Sequence, residues 1–253
     1  MPSALTMPTS LTMTTRSLRL ATRSPDALLT ALLLPVMLMV VFVYLFGGAV
    51  DIGTRYVSYV VPGVLLLCAV IGASSTAVTV CQDMAGGIID RFRSMDVPGT
   101  AILAGHVAAS LLRNLVSIAL VIAVAFGIGF RPHATPVRFA AALGVLLLFV
   151  TAVSWLAAAF GLLVSAPEAA GGAMFIFMFF TYASSAFVPV RTLPWWLRGF
   201  AANQPATPVT ETIRGLLLRQ PVGAHLGIAL AWCAGILAVS VAVSAFAFRR
   251  RTA

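Results

Sequence analysis

The chain has 253 residues, 60% of them hydrophobic and 9% charged, with a mean hydropathy of +1.03 and a formal net charge of +9. A water-soluble domain carries about a quarter charged residues, so this composition cannot coat a soluble surface and makes lipid the solvent for much of the chain. Every basic residue is an arginine set between apolar runs, which points to headgroup contacts at span ends and away from nucleic-acid binding.

Ahead of the first apolar run, Leu18 and Leu20 are interleaved with Arg16, Arg19 and Arg23. This predicts a short interfacial helix within a cytoplasmic segment 1–24, residues 1–12 being equally readable as a disordered tail. Ser24-Pro25-Asp26 reads as a helix start, with a capping serine, a first-turn proline and an aspartate at the positive dipole end. The uncharged run 27–50 follows, with Pro35 inside it as a predicted kink. It exceeds the ~7–15 residues of a cleaved signal core and reads as a retained span. Further apolar runs cover 56–82, 102–130 (broken only by His106 and Arg113), 139–167, 169–190 and 226–248. Crossing the ~30 Å hydrocarbon core takes ~20 residues of helix, so the chain predicts an all-α polytopic membrane protein with six transmembrane helices in one domain, 1–253. An even number of spans puts both termini on one side. Arg16, Arg19, Arg23, Arg91, Arg93 and the triplet Arg249-Arg250-Arg251 share that side, which the positive-inside rule makes cytoplasmic, although Arg131, Arg138, Arg191, Arg198, Arg214 and Arg219 fall opposite.

Two connections carry information. Between spans two and three, residues 82–98 hold Met84, Ile88, Phe92 and Met95 at helical spacing, with Asp83, Asp90, Arg93 and Asp96 around them, until Val97-Pro98-Gly99 ends the pattern. A short amphipathic helix there can rest on lipid or seat in a groove of a soluble partner. Between spans five and six, residues 189–221 are punctuated by prolines and predict two short helices, one starting near Pro194 and one at Pro208 with Thr207 as its cap. Together they read as a re-entrant external hairpin, set against an ordinary interfacial loop, with Trp195 and Trp196 in the headgroup belt. Arg113 and Glu168 are ionisable groups at or near membrane depth. Each is a candidate for gating or the substrate path, as are Trp195, Trp196, Glu211 and Arg214, set against snorkelling for Arg113 and a loop position for Glu168. Seven residues separate His106 from Arg113, which places the two on one helix face. Cys68, Cys81, Cys233, His106, His133 and His225 are dispersed in sequence and predict neither a disulfide framework nor a metal site. A P-loop requires lysine, and the chain has none, so ATP-driven work must come from another chain. No carboxylate stands clearly at mid-bilayer to serve a proton relay.

Five segments carry a resemblance: Arg23-Ser24-Pro25-Asp26-Ala27-Leu28-Leu29 with Pro35 and Phe46-Gly47-Gly48-Ala49; Tyr59-Val60-Val61-Pro62-Gly63; Asp90-Arg91-Phe92-Arg93-Ser94-Met95; Ser184-Ser185-Ala186-Phe187-Val188-Pro189; and Leu193-Pro194-Trp195-Trp196-Leu197. In this order and spacing the chain resembles the type-2 ABC export permeases, in the branch of daunorubicin and doxorubicin resistance. Asp96, where relatives often carry a small or apolar residue before the proline, departs from the pattern. The resemblance implies a bacterial plasma-membrane permease. Two copies, or a copy and a paralogue, would form the path for a hydrophobic or amphiphilic substrate, with two ATPase subunits holding ATP and magnesium. It assigns ATPase docking to a coupling helix with Asp83, Gly86, Gly87, Asp90, Arg91, Phe92 and Arg93, and to the interface helix with Arg16, Arg19 and Arg23. No catalytic, cofactor or metal site is expected in this chain. The other readings are an ion-coupled carrier, a non-transporting assembly subunit, and an intramembrane hydrolase using Ser74 of Gly72-Ala73-Ser74-Ser75 with His106 or His225 as base.

Overall fold

A computed structural model describes residues 25–48, 55–86 and 99–251. Helix α1 (Pro25–Val41) opens on a proline, carries Pro35 inside, and passes into a π turn at Phe42–Phe46. Then come α2 (Tyr56–Ala85), α3 (Gly99–Ile128), α4 (Pro136–Leu163) and α5 (Pro167–Tyr182). A 3₁₀ turn at Val190–Thr192 leads to two short helices, α6 (Trp195–Asn203) and α7 (Ala206–Leu218), and α8 (His225–Arg251) closes the chain. The starts follow local chemistry. Thr135 caps α4 by accepting the Arg138 amide, and Pro136 takes the first helical position, where a missing N–H costs nothing. Pro167 does the same for α5, with Glu168 in its first turn near the positive dipole end.

Four helical stretches are long and apolar enough to cross a membrane: Tyr56–Ala85, Ile102–Ile128, Pro136–Leu163 and His225–Ala247. The described residues are therefore those of an all-helical, multi-pass membrane protein. The first predicted run is helical and apolar but shorter within the described residues, at Leu33–Phe46. The fifth ends at Tyr182, earlier than the predicted 190. Its 16 residues cover about 24 Å, and serine chemistry explains the stop. The Ser184 hydroxyl donates to the Thr181 carbonyl and accepts the Ala186 amide, at 3.1 Å, offering the backbone partners that compete with another helical turn.

The helices run antiparallel between two ends. At one end, Arg55 donates to the Gly129 carbonyl and the His133 amide to the Leu217 carbonyl. At the other, the Cys81 thiol meets the Val164 carbonyl at 3.4 Å. The first is the Arg214 end and the second the Asp83 end. Helix α2 is the spine: 78% of its most apolar window is buried, against 17% for α8. Helices α3, α4 and α5 all pack on α2, α8 leans on α4, and α7 inserts against α2, α4 and α8. Close approach depends on small residues. A Cβ on Gly63 would lie 2.6 Å from the Ala186 carbonyl oxygen, so only glycine lets α2 touch the chain just beyond α5. Gly63→Val should cost about 1–3 kcal/mol through overpacking, read as a lower apparent Tm in detergent. Gly144→Ala, at an open mid-helix position, should not lower Tm and should raise it slightly.

Candidate functional site

The polar chemistry lies in two places along α2, one near its start and one running from its end to about its middle. At the Arg214 end, the chain from Ala183 to Val188 is not helical, and its backbone groups lie inside the bundle. Side chains of the hairpin supply the missing partners. The Gln204 carboxamide donates to the carbonyls of Phe180 and Ala183, at 2.9 and 3.4 Å, and accepts the Ala206 amide at 3.0 Å. The Thr207 hydroxyl accepts the Ser185 amide at 3.1 Å and donates to the Ala201 carbonyl. Helix α7 therefore begins at Ala206, and Thr207 ties the hairpin to the end of α5 rather than capping a helix at Pro208.

Arg214 is the centre of this region and is 3% exposed. Its Nε and Nη2 donate to the Tyr59 carbonyl at 3.3 and 3.1 Å, and Nη2 also donates to the Ser185 carbonyl at 2.8 Å. Nη1 is 2.6 Å from Glu211 Oε1, and the guanidinium carbon sits 3.7 Å from the centre of the Tyr59 ring. Tyr59 in turn donates its hydroxyl to the Ser185 carbonyl, and Tyr56 donates to that of Phe187, each at 3.0 Å. Pro62, which has no N–H for the Ser58 carbonyl one turn earlier, lies in the same turn of α2 as the Tyr59 carbonyl that Arg214 binds. Arg214 and Glu211, read as candidates for the substrate path, thus form a clamp between α7, α2 and the end of α5. Beside the clamp lies a polar cavity of about 510 Å³, whose lining includes Arg191, Glu211, Gln220 and His225. Trp195 and Trp196 lie outside it, 82% and 65% exposed on α6, as a headgroup belt requires.

At the Asp83 end, a polar seam joins α2, α3 and α4. His106 Nε2 is 3.2 Å from Asp83 Oδ2, and both residues are buried. One turn on, the hydroxyls of Ser110 and Ser154 share a hydrogen bond of 2.9 Å. Another turn on, Asn114 donates to the Ser110 carbonyl at 3.0 Å and packs on Gly72, where any Cβ would collide with its carboxamide. Arg113 reaches the Thr76 hydroxyl of α2 at 3.1 Å. His106 and Arg113 both turn toward α2, as their spacing predicts, but each has its own partner. Asp83, expected on a docking surface, belongs to α2 and faces inward, and Gly86 marks the helix end. Gly87, Asp90, Arg91, Phe92 and Arg93, with Arg16, Arg19 and Arg23, lie outside the described residues. Glu168 is exposed in the first turn of α5 at the Asp83 end, away from the clamp. Ser74 lies about 13 Å along α2 from the Asp83 that His106 engages, and His225 is at the opposite end. The described residues include no group of three or more His, Cys, Asp or Glu arranged to hold a metal.

Sequence reasoning passed over Ser110, Asn114 and Gln204, met Ser185 only inside a resemblance segment, and read Thr207 as a helix cap. The four-residue spacing of His106, Ser110 and Asn114 within an apolar run marks a polar face and could have revealed the seam. Nothing local marks the carbonyls that the Gln204 amide nitrogen reaches or the Thr207 hydroxyl that the Ser185 amide meets, which are 20 or more residues away.

These features define a multi-pass helical membrane protein with a polar hairpin locked into one end of its bundle. Residues 10–218 match the family model described as the ABC-2 type transporter. The chain belongs to that family and is the membrane subunit of an ABC exporter. It is similar to the daunorubicin resistance ABC transporter permease protein DrrB1 of Streptomyces coeruleorubidus, with 29% identity over 90% of this chain and 82% of that protein. It is also similar to the probable doxorubicin resistance ABC transporter permease protein DrrC of two Mycobacterium tuberculosis strains, with 23% identity over 95% of this chain and 88% of theirs.

Two measurements test the site. Arg214→Lys keeps the charge but removes the planar fork. It should cost about 1.5–3 kcal/mol, the range for hydrogen bonds to charged groups, and raise amide exchange across residues 183–218. In a double-mutant cycle, Asp83→Asn and His106→Gln should couple by about 0.5–3 kcal/mol, whereas Asp83→Asn and Arg113→Gln should add independently.

Proposed function

We propose that this chain is a six-span permease of a bacterial plasma membrane, with both termini cytoplasmic, that exports hydrophobic or amphiphilic compounds such as drugs, antibiotics or lipids. The observation that carries the reading is the family match over residues 10–218, joined to relatives named for daunorubicin and doxorubicin resistance. In this reading α1 and α5 also cross the membrane, α5 being completed by the non-helical stretch to Val188. The Asp83 end is then cytoplasmic and the Arg214 end external. Two permeases, identical or paralogous, work with two ATPase subunits that hold ATP and magnesium.

The seam suggests how force would pass. The segment 86–98 joins α2 to α3, and the Asp83–His106 pair bridges the same two helices just inside it. A partner pushing on that segment through Asp90, Arg91, Phe92 and Arg93 would move α2 and α3 as one body. Because α2 is the spine, the motion reaches α4, α5 and the hairpin together, as a two-state switch between inward- and outward-open packing requires. Arg16, Arg19 and Arg23 would hold the interface helix against the headgroups and the same partner.

The test reverses the charge of the docking face. Arg91→Glu with Arg93→Glu should lower co-purification of the ATPase and ATP-dependent efflux in inverted vesicles, while membrane insertion persists. Unchanged binding and efflux would remove the docking assignment, and efflux that survives ATP depletion would favour an ion-coupled carrier.

A further inference from the structure

We propose that a cleft between α5 and α8 binds an amphiphile with one apolar tail or ring system and an uncharged hydrogen-bonding head, drawn from the membrane leaflet on the hairpin side. The inference deepens the exporter reading and rests on it for the depth and side of the cleft.

The cleft follows from the packing order. Helices α2 and α4 form the central pair, α5 leans on α2, and α8 leans on α4, which leaves a gap between α5 and α8 over the α2–α4 seam. Val70 and Val153 form its floor, Phe180 one wall, and Trp232 and Ile236 the other. Phe200 and Asn203 of α6 roof it at the Arg214 end. The volume is about 470 Å³, within the ~300–1,000 Å³ usual for small-molecule sites.

Three observations decide the chemistry of the occupant. The first is depth. Val70 lies about 21 Å along α2 from Tyr56, so the cleft runs from the hairpin down to about the middle of the hydrocarbon core. The floor there, with Val70, Phe149 and Val153, offers no polar group to replace hydration, so the part that fills it is apolar. The second is charge. The cleft has no charged lining residue and shares no lining residue with the neighbouring cavity of Arg191, Glu211 and Arg214. A charged head would be desolvated with no counter-charge, which selects a neutral one. The third is hydrogen-bonding capacity near the roof. The Gln204 amide nitrogen is committed to the carbonyls of Phe180 and Ala183. The Thr181 hydroxyl donates to the Phe177 carbonyl, which leaves its oxygen able to accept. The Asn203 carboxamide beside it gives one N–H to the Gly199 carbonyl at 2.8 Å, and its oxygen and second N–H suit a hydroxyl or amide head. The aromatic walls favour flat rings or a single chain over the paired chains of a bulk phospholipid.

The experiment uses the full chain with its ATPase partner in lipid nanodiscs and a monoacylglycerol carrying a diazirine at mid-chain. After illumination, adducts are mapped by peptide mass spectrometry. The expected result is at least fivefold more labelling at Phe180, Trp232 and Ile236 than at Phe175 and Ile176, which are exposed on α5. Unlabelled monoacylglycerol should compete, and an equal amount of lysophosphatidylglycerol should not. Filling the cleft with Val153→Trp, or separately with Ile236→Trp, should reduce the labelling fivefold, while Phe175→Ala leaves it intact. Equal labelling of cleft and exposed face overturns the proposal. So does competition by the charged lipid, or protection of the cleft by a second copy of the chain. Efflux is scored separately: specific labelling without ATP-dependent efflux retains the site and removes the exporter reading, and efflux without specific labelling does the reverse.

Discussion

The fold depends on one demand of the lipid environment, that every backbone polar group inside the membrane find a partner within the protein. Helices meet it along most of the chain. It fails where α5 gives way to an irregular stretch after Tyr182. The Arg214 guanidinium, with five donors in a fixed plane, ties that stretch to α2 by binding the carbonyls of Ser185 and Tyr59. An unsatisfied carbonyl in hydrocarbon costs several kcal/mol, so the clamp makes the irregular backbone tolerable at this depth. Glu211 offsets the charge, and the Tyr59 ring covers the flat face of the guanidinium. Gln204 and Thr207 extend the same service to the neighbouring groups, so the hairpin is an integral part of the bundle wall.

The second organising element is the spine. Because α2 touches α3, α4, α5 and α7, no neighbour can shift without involving it. Its glycines set how near those neighbours come, Gly63 at the clamp and Gly72 at the seam. The two polar regions along it differ in kind. The clamp joins side chains to irregular backbone and holds one geometry. The seam joins side chains on three regular helices through single hydrogen bonds, a looser arrangement suited to elements that move together.

The sequence was most legible where one residue type at one spacing has one physical meaning. Long uncharged runs marked the helices and Ser24-Pro25-Asp26 marked a start, whereas Pro167, read as the end of the fourth run, opens α5. Prolines also announced the two short helices, although Thr207 was read as a cap when its hydroxyl joins the hairpin to Ser185. Asp83 was read by sequence neighbourhood as part of a coupling helix. Its actual place follows from α2 continuing to Ala85, which turns the carboxylate toward His106, 23 positions later.

What the sequence determined by itself was the class of solvent, the helical fold, the positions of most helices and the family, since these depend on composition and on patterns within a few turns. Tertiary structure alone decided that Arg214 is a clamp, that Asp83 and His106 pair, and that α5 stops at Tyr182. It also decided that a cleft remains between α5 and α8. Each of these depends on which groups from distant segments come within hydrogen-bonding or packing distance, and in a bundle that is set by how the helices lean on the shared α2 spine.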